Sequence, residues 1–391
     1  MSVDAVSFLK QVLKIRSINP PGNELPVARR LKDLLDEHGL ENTLIEFDEN
    51  RANLVAWLRG ESIDPNRRVL ALSGHMDVVP PGQVEWNYPP FDAVEQDGKI
   101  YGRGSSDMKG GLVGLVFAMI ALKKSGVRLR GDVKLLASAG EEMGAVGAKL
   151  LAETGHMDDV DALIIAEPSN DNVVIAHKGA LWVEITCYGQ TAHGSTPKLG
   201  INAIEHMNRV ITAILNDFHM EYSPDDLLGE PTCNIAVIEG GVKTNVVPDK
   251  CRVELDIRTV PSQKHEDVLR SLEKLIEGVK ADCPELKAEL RVFNDLPPIA
   301  TAADHPFVRT VQDSTAQVYS QAKPIKGMSG YTDGAVLAPV ERGVPAVIIG
   351  GGRIELAHQP NEYIDTDKFL QAIDLYKTII VNYLGTETQE S

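Results

Sequence analysis

Cysteine is scarce in this chain. Four cysteines are spread over 391 residues, and no two form a C-x-x-C pair. Cys187, Cys233, Cys251 and Cys283 therefore read as reduced, structural residues of a cytoplasmic protein. Long apolar runs are missing too. Leu112–Leu122 falls short of a membrane span and reads as a core helix. The start of the chain, Met1–Ser17, is amphipathic and charged, and lacks the apolar stretch of a signal peptide. Positive charge is outweighed, with 39 Lys and Arg against 56 Asp and Glu, a formal net charge of −17. That balance argues against nucleic acid and anionic membranes as partners. The chain has no internal repeat and no low-complexity tract. Gly102-Arg103-Gly104 opens no G-x-G-x-x-G loop, which disfavours a nucleotide-binding protein.

What is present is organised around residues 69–111. The apolar run Val69–Leu72 reads as a buried parallel strand. It leads straight into Gly74-His75-Met76-Asp77. A loop rich in Pro and Gly follows and ends at Asp107, just before the second apolar run. Ligands of open α/β sheets bind at the carboxyl ends of strands, so this is where a metal is expected. In an extended segment residues two apart face the same side. Asp77 is thus placed to accept the ring N–H of His75 and leave the other ring nitrogen to a cation. Alone, an H-x-D is very common and is far more often a surface turn in which His and Asp simply pair; it gains weight only if ligands arrive at the ends of other strands.

The same arrangement returns along the chain. Strand Asp132–Ser138 runs on into Gly140-Glu141-Glu142, and strand Ala162–Ala166 into Glu167. Strand Val344–Ile349 runs into three glycines, with His358 beyond them. Together with a strand over Asn53–Leu58 and helices over 24–38, 109–125 and 366–384, this predicts an α/β fold. Its sheet is mostly parallel, with helices on both faces. The middle of the chain differs in kind. Trp182–Tyr188, Asn202–Asn216, Asn234–Ile238, Cys251–Arg258, Lys264–Lys280 and Glu289–Phe293 follow a β-α-β-β-α-β order, the ferredoxin-like α+β pattern. A chain of this length defaults to two domains. The expected division is a discontinuous domain of residues 1–179 and 297–391, with residues 180–296 inserted.

Five potential ligands lie on the α/β part: His75, Asp107, Glu142, Glu167 and His358. They suffice for two divalent ions if one carboxylate bridges them. Imidazole and carboxylate without thiolate suit zinc and tolerate cobalt or manganese. Glu141 is left over beside the cluster, where it can take a proton from an activated water.

These residues carry a resemblance. The stretches SGHMDVVP, YGRGSSDMKGG, SAGEEMG, IAEPS, GQTAHGSTP and AHQPNEYI occur in this order. They resemble the co-catalytic dizinc family of acetylornithine deacetylase, succinyl-diaminopimelate desuccinylase, aminoacylase and glutamate carboxypeptidase. The resemblance covers nearly the whole chain. It implies a zinc-exopeptidase-like catalytic domain and an inserted lid that also forms a homodimer. His75 and Glu167 would complete one zinc site, Glu142 and His358 the other, with Asp107 bridging. Glu141 would be the general base and Asp77 the partner of His75. The peptide bond after Asp107 would be cis.

In the lid, His193 matches a histidine that reaches a partner subunit's active site and donates to the oxyanion. Asn245 looks like its neighbour in that role. Arg258 matches an arginine that binds a substrate carboxylate. Read from the residues alone, His193 stands in a polar loop and Arg258 is a strand-end partner for Asp256. Two positions depart from the family pattern, the bulky Tyr331 and the extra cation Arg353, and both leave the substrate side chain open.

The implied activity is hydrolysis of the amide bond of N-acyl amino acids, giving a carboxylic acid and an amine. No serine or cysteine is placed as a nucleophile. The rival within the class is an exopeptidase on short peptides. From another class, the chain could be a non-catalytic metal-dependent binding protein, against which the spare Glu141 argues.

Overall fold

The computed structural model describes residues 4–62, 64 and 66–387. Its centre is built from the apolar runs. Val69–His75 and Asp132–Ser138 are buried at every position, and Ala162–Ile165 likewise. Strands wetted on neither face need no alternation, which is why the sequence shows continuous apolar runs there. Asp132–Ser138, Val69–His75, Ala162–Ile165 and Ala346–Ile348 pair side by side in parallel. Their carboxyl ends therefore share one edge of the sheet.

The flanks are antiparallel, so the sheet is mixed rather than parallel throughout. Glu41–Asp48 and Arg51–Leu58 form a hairpin, and Arg51–Leu58 pairs antiparallel with Asp132–Ser138. Two residues join the hairpin strands, a connection that only antiparallel neighbours can share. On the other side Val173–His177 runs antiparallel to Ala346–Ile348. Helices Lys109–Ser125 and Thr366–Leu384 pack on each other and on Val69–His75. Helix Ala5–Leu13 buries Phe8, Leu9, Val12 and Leu13 in the same core, and it packs against Lys109–Ser125. Of the amphipathic start of the chain, Met1–Val3 lie outside the described residues.

The chain forms two compact units. The first comprises Met1–Ala176, Ile299–Gly327 and Thr332–Ser391; the second comprises His177–Pro298 with Met328–Tyr331. The last four residues join the second unit because the Met328 carbonyl accepts the Lys178 N–H (3.1 Å) and the Tyr331 ring lies against Trp182.

In the second unit the sheet order is Thr232–Gly240, Lys250–Thr259, Gly179–Tyr188, Lys287–Leu296, every pair antiparallel. That is the ferredoxin-like order, with the first strand between the third and the fourth. Leu181, Val183, Ile185 and Cys187 alternate inward and meet Met207, Val210 and Leu272 of helices Ala203–Asp217 and His265–Asp282. The four cysteines all lie in this unit and form no disulfide. Burial pushes the Cys187 thiol up to about 12 and the Cys233 thiol up to about 11, so neither is a ready nucleophile. No helix among the described residues is long and apolar enough to cross a membrane.

Candidate metal centre

The candidate ligands lie at or just beyond element ends, except His358, which stands in the loop after the short turn Ile354–Leu356. His75 is the last residue of Val69–His75, and its register partner across the parallel pair is Ser138. From Ser138 the chain reaches Gly140, whose φ of +75° turns it into one short helical turn, Glu141–Met143. The positive φ favours glycine there, and a side chain at position 140 would also press on the Arg51 guanidinium, 2.4 Å from its Cβ. Asp107 immediately precedes the Met108 cap of helix Lys109–Ser125. A Cβ at Gly111 would lie 2.0 Å from the Ala166 carbonyl oxygen. Only glycine lets the helix start this close to the strand end that carries Glu167. The Asp107–Met108 peptide bond is cis.

The side chains converge. His75 Nδ1 donates to the Asp77 backbone carbonyl (3.0 Å), which leaves Nε2 facing inward. That Nε2 lies 3.1 Å from Asp107 Oδ1 and 3.5 Å from Glu167 Oε1. His358 Nε2 lies 3.4 Å from Asp107 Oδ2 and 3.1 Å from Glu142 Oε2. Asp107 thus stands between two imidazoles and turns a different oxygen to each. Ligand atoms of His75, Glu141 and Glu167 lie within 4.8 Å of one another, as do those of His75, Asp107 and Glu142.

Electrostatics follow from this crowding. Burial pushes Glu141 and Glu167 well above the usual carboxylate range, and neighbouring carboxylates push further. Glu142 is raised by burial and by Asp107. Burial opposes charge on Asp107 as well, but hydrogen bonds from His358 and His75 hold its carboxyl down. His75 is driven up despite its burial, because Glu167 and Asp107 face it. Hydrogen bonds to Asp107 and Glu142 push His358 up to about 10.

The ion pairs of Asp107, Glu142 and Glu167 among the described residues are all with these two imidazoles. Packing this much negative charge away from water is costly unless cations join it. The donors are oxygen and imidazole nitrogen without thiolate, and one carboxylate is shared. This set fits two divalent cations.

The Asp77 carboxylate differs from expectation. It lies 3.6 Å from His75 Nδ1, beyond hydrogen-bond reach, because it is engaged elsewhere. Oδ1 accepts the N–H groups of Gly140 (2.9 Å) and Glu141 (3.2 Å). Oδ2 accepts the Glu142 N–H (3.2 Å) and Asn19 Nδ2 (2.9 Å). Asp77 therefore holds the turn that carries both glutamates, while its carbonyl, not its carboxylate, orients His75.

Other residues beside the centre escaped the sequence reading. Asp333 is 2% exposed and accepts the Ser138 hydroxyl, and burial pushes it up to about 6. Glu362 is fully buried against Arg103. Both Arg103 and Glu362 lie inside motifs already singled out; the available signal was a pair of opposite charges in two stretches of otherwise small or polar residues.

His193, Asn245 and Arg258 lie in the second unit. The His193 and Asn245 segments adjoin, since Gly194 N–H donates to the Asn245 carbonyl (2.9 Å). Both side chains are exposed, and His193 Nδ1 is 2.7 Å from Ser195 Oγ. Arg258 pairs with Asp256 (2.8 Å), which also accepts the Trp182 Nε1–H (3.0 Å), and the Tyr331 ring is 6.0 Å from the guanidinium.

Residues 71–382 match peptidase family M20/M25/M40. A probable succinyl-diaminopimelate desuccinylase of Staphylococcus aureus (strain N315) is 33% identical, over 97% of this chain and 98% of that protein. An acetylornithine deacetylase of Pectobacterium carotovorum subsp. carotovorum (strain PC1) is 32% identical, over 82% of this chain and 80% of its own. Among solved structures, an M20 family metallo-carboxypeptidase from Sulfolobus solfataricus superposes with a TM-score of 0.83 at 23% identity, covering 97% of this chain and 99% of that one. With its imidazole and carboxylate cluster at the carboxyl ends of the central parallel strands, the chain belongs to peptidase family M20/M25/M40, as a metallo-hydrolase of amide bonds.

Proposed function

We propose that the chain hydrolyses the amide bond of N-acyl amino acids, releasing a carboxylic acid and a free amino acid. The observation that carries this reading is Asp107, with one oxygen on each imidazole and Glu141 beside the cluster. The names of its relatives, a desuccinylase and a deacetylase, support it.

Two zinc ions, replaceable by cobalt or manganese, would supply an activated water and polarise the amide carbonyl. His75, Asp107 and Glu167 would hold one, and His358, Asp107 and Glu142 the other. Glu141 takes the proton from the attacking water and delivers it to the leaving amide nitrogen. Asp77 keeps Glu141 and Glu142 in place through their backbone. In the homodimer His193 and Asn245 reach the partner subunit's site and donate hydrogen bonds to the oxyanion there. Arg258 holds the substrate carboxylate with its planar fork, displacing Asp256. The protein works in the cytoplasm as a homodimer formed through residues 180–296, whose strand Thr232–Gly240 is an exposed sheet edge.

The test is a panel of N-acetyl, N-succinyl and N-formyl amino acids and unblocked dipeptides, with zinc-loaded protein and amine release as readout. Turnover of an N-acyl amino acid is expected. Cleavage of dipeptides in preference to every N-acyl amino acid would reassign the chain as an exopeptidase. No amine release from any member of the panel would sink the reading.

A further inference from the structure

Asp107 and His358 come from distant stretches, and one buried ion pair ties those stretches together. Arg103 is 1% exposed and Glu362 is 0% exposed. Arg103 Nη1 donates to Glu362 Oε2 at 2.6 Å, and the same oxygen accepts the Gly104 N–H at 3.1 Å. Glu362 Oε1 accepts the N–H groups of Ser106 (2.8 Å) and of Asp107 itself (3.0 Å). In the other direction, Arg103 donates to the carbonyls of His358 and Gln359, each at 3.3 Å. The grip is reciprocal. Glu362, from the His358 stretch, holds the backbone under Asp107, and Arg103, from the Asp107 stretch, holds the backbone under His358.

Stability alone does not explain such a pair. A buried ion pair contributes no more than well-packed apolar residues of the same volume, and often less. His358 also has a particular need of it. Its φ is +62°, a conformation that L residues seldom adopt, and its side chain is 54% exposed. Packing therefore does little to fix it, whereas His75 is 1% exposed.

We propose that Arg103 and Glu362 are positioning residues of the metal centre, setting the separation of Asp107 and His358 on which one of its two cation sites depends. This rests on the reading of Asp107 and His358 as ligands. Glu362→Gln probes it with almost no change of shape. Each Glu362 oxygen accepts two donors, so an amide NH2 must face two N–H groups at either end. Arg103→Lys keeps the charge but loses the fork that reaches both carbonyls.

The experiment is cobalt(II) binding to the full-length, metal-stripped chain, followed by equilibrium dialysis and cobalt absorption. It compares the native protein with Glu362→Gln, Arg103→Lys, His358→Ala and the Glu362→Gln/His358→Ala double variant. Circular dichroism confirms that each variant is folded, and Arg103→Lys carries the test if Glu362→Gln is not. The expected result is two ions in the native protein, one of them weakened on the order of 10- to 100-fold in the positioning variants, the range for partners that orient ligands. The same ion should be lost in His358→Ala, with no further loss in the double variant. Native affinity for both ions in folded Glu362→Gln and Arg103→Lys, alongside an ion lost in His358→Ala, overturns the positioning role alone. Equal weakening of both ions in Arg103→Lys, which releases the His358 and Gln359 carbonyls while Glu362 still accepts the Asp107 N–H, overturns it too. Two tightly bound ions in His358→Ala would overturn the ligand reading and the inference with it.

Discussion

Replacing Asp77 by asparagine changes almost no volume but turns one acceptor into a donor. Both carboxylate oxygens already accept two hydrogen bonds each, from Gly140 and Glu141 on one and from Glu142 and Asn19 on the other. With the NH2 at the Oδ1 end the Gly140 and Glu141 N–H groups lose their acceptor, and at the Oδ2 end the Glu142 N–H does, because the Asn19 amide can turn its oxygen to the new NH2; the site is 0% exposed. Hydrogen bonds to a charged acceptor are worth about 1.5–3 kcal/mol each, so with one or two lost the cost is about 1.5–6 kcal/mol. It falls on the Gly140–Glu142 turn, because His75 is held by the Asp77 carbonyl, which the substitution keeps. Hydrogen exchange of the Gly140–Glu142 turn, read peptide by peptide, should accelerate by roughly one to four orders of magnitude, at about 1.4 kcal/mol per tenfold. Turnover should fall with it as Glu141 and Glu142 drift. Unchanged exchange in that turn, with metal lost from the His75 side, would refute this account and restore a direct carboxylate–imidazole role for Asp77.

Glu141→Gln should retain both metal ions and lose turnover roughly 100- to 10,000-fold, the range for a positioned base, whereas Glu142→Gln should lose metal; identical metal loss in both would show the roles to be misassigned. Arg258→Ala should lower kcat/KM for carboxylate substrates by on the order of 2–5 kcal/mol and leave metal content unchanged, while amide analogues should lose little more in the variant than in the native protein. His177 is fully buried, and burial pushes its imidazole down to about 4 from 6.5. Its folded pKa is the lower one, so the unfolded chain takes up a proton first as pH falls. Stability from this group is intact above pH 6.5 and declines between 6.5 and 4, by about 3 kcal/mol in all. His177→Leu should flatten that part of the urea-midpoint profile against pH, and a parallel profile would contradict the assignment. A dimer through the edge strand predicts that Ile238→Lys, at a residue 59% exposed on that strand, yields a monomer by sedimentation, and an intact dimer would place the interface elsewhere.

Local pattern accounts for much of the architecture. A continuous apolar run bounded by glycine or charge announces a buried strand, and the residues just past its end are where an α/β sheet binds ligands. His75, Glu141, Glu142 and Glu167 were legible for that reason, and Asp107 because it precedes an apolar helix. Elements without such a pattern were not. Glu41–Asp48 is a half-exposed flanking strand with charges on both faces, and helix Pro306–Tyr319 buries Ser314 and Thr315 along with its apolar residues; Val173–His177, a buried apolar run like the others, ends in no carboxylate that would have singled it out. What only the tertiary structure decided was which polar groups meet. The division of Asp107 between two imidazoles, the Asp77 carboxylate on the Gly140–Glu142 turn and the Arg103–Glu362 grip each join stretches far apart in the chain. Hydrogen bonds of that kind leave no periodicity in the sequence, because their partners are chosen by the order of strands in the sheet and not by spacing along the chain. A residue's place at a strand end is written locally, whereas its partner is not.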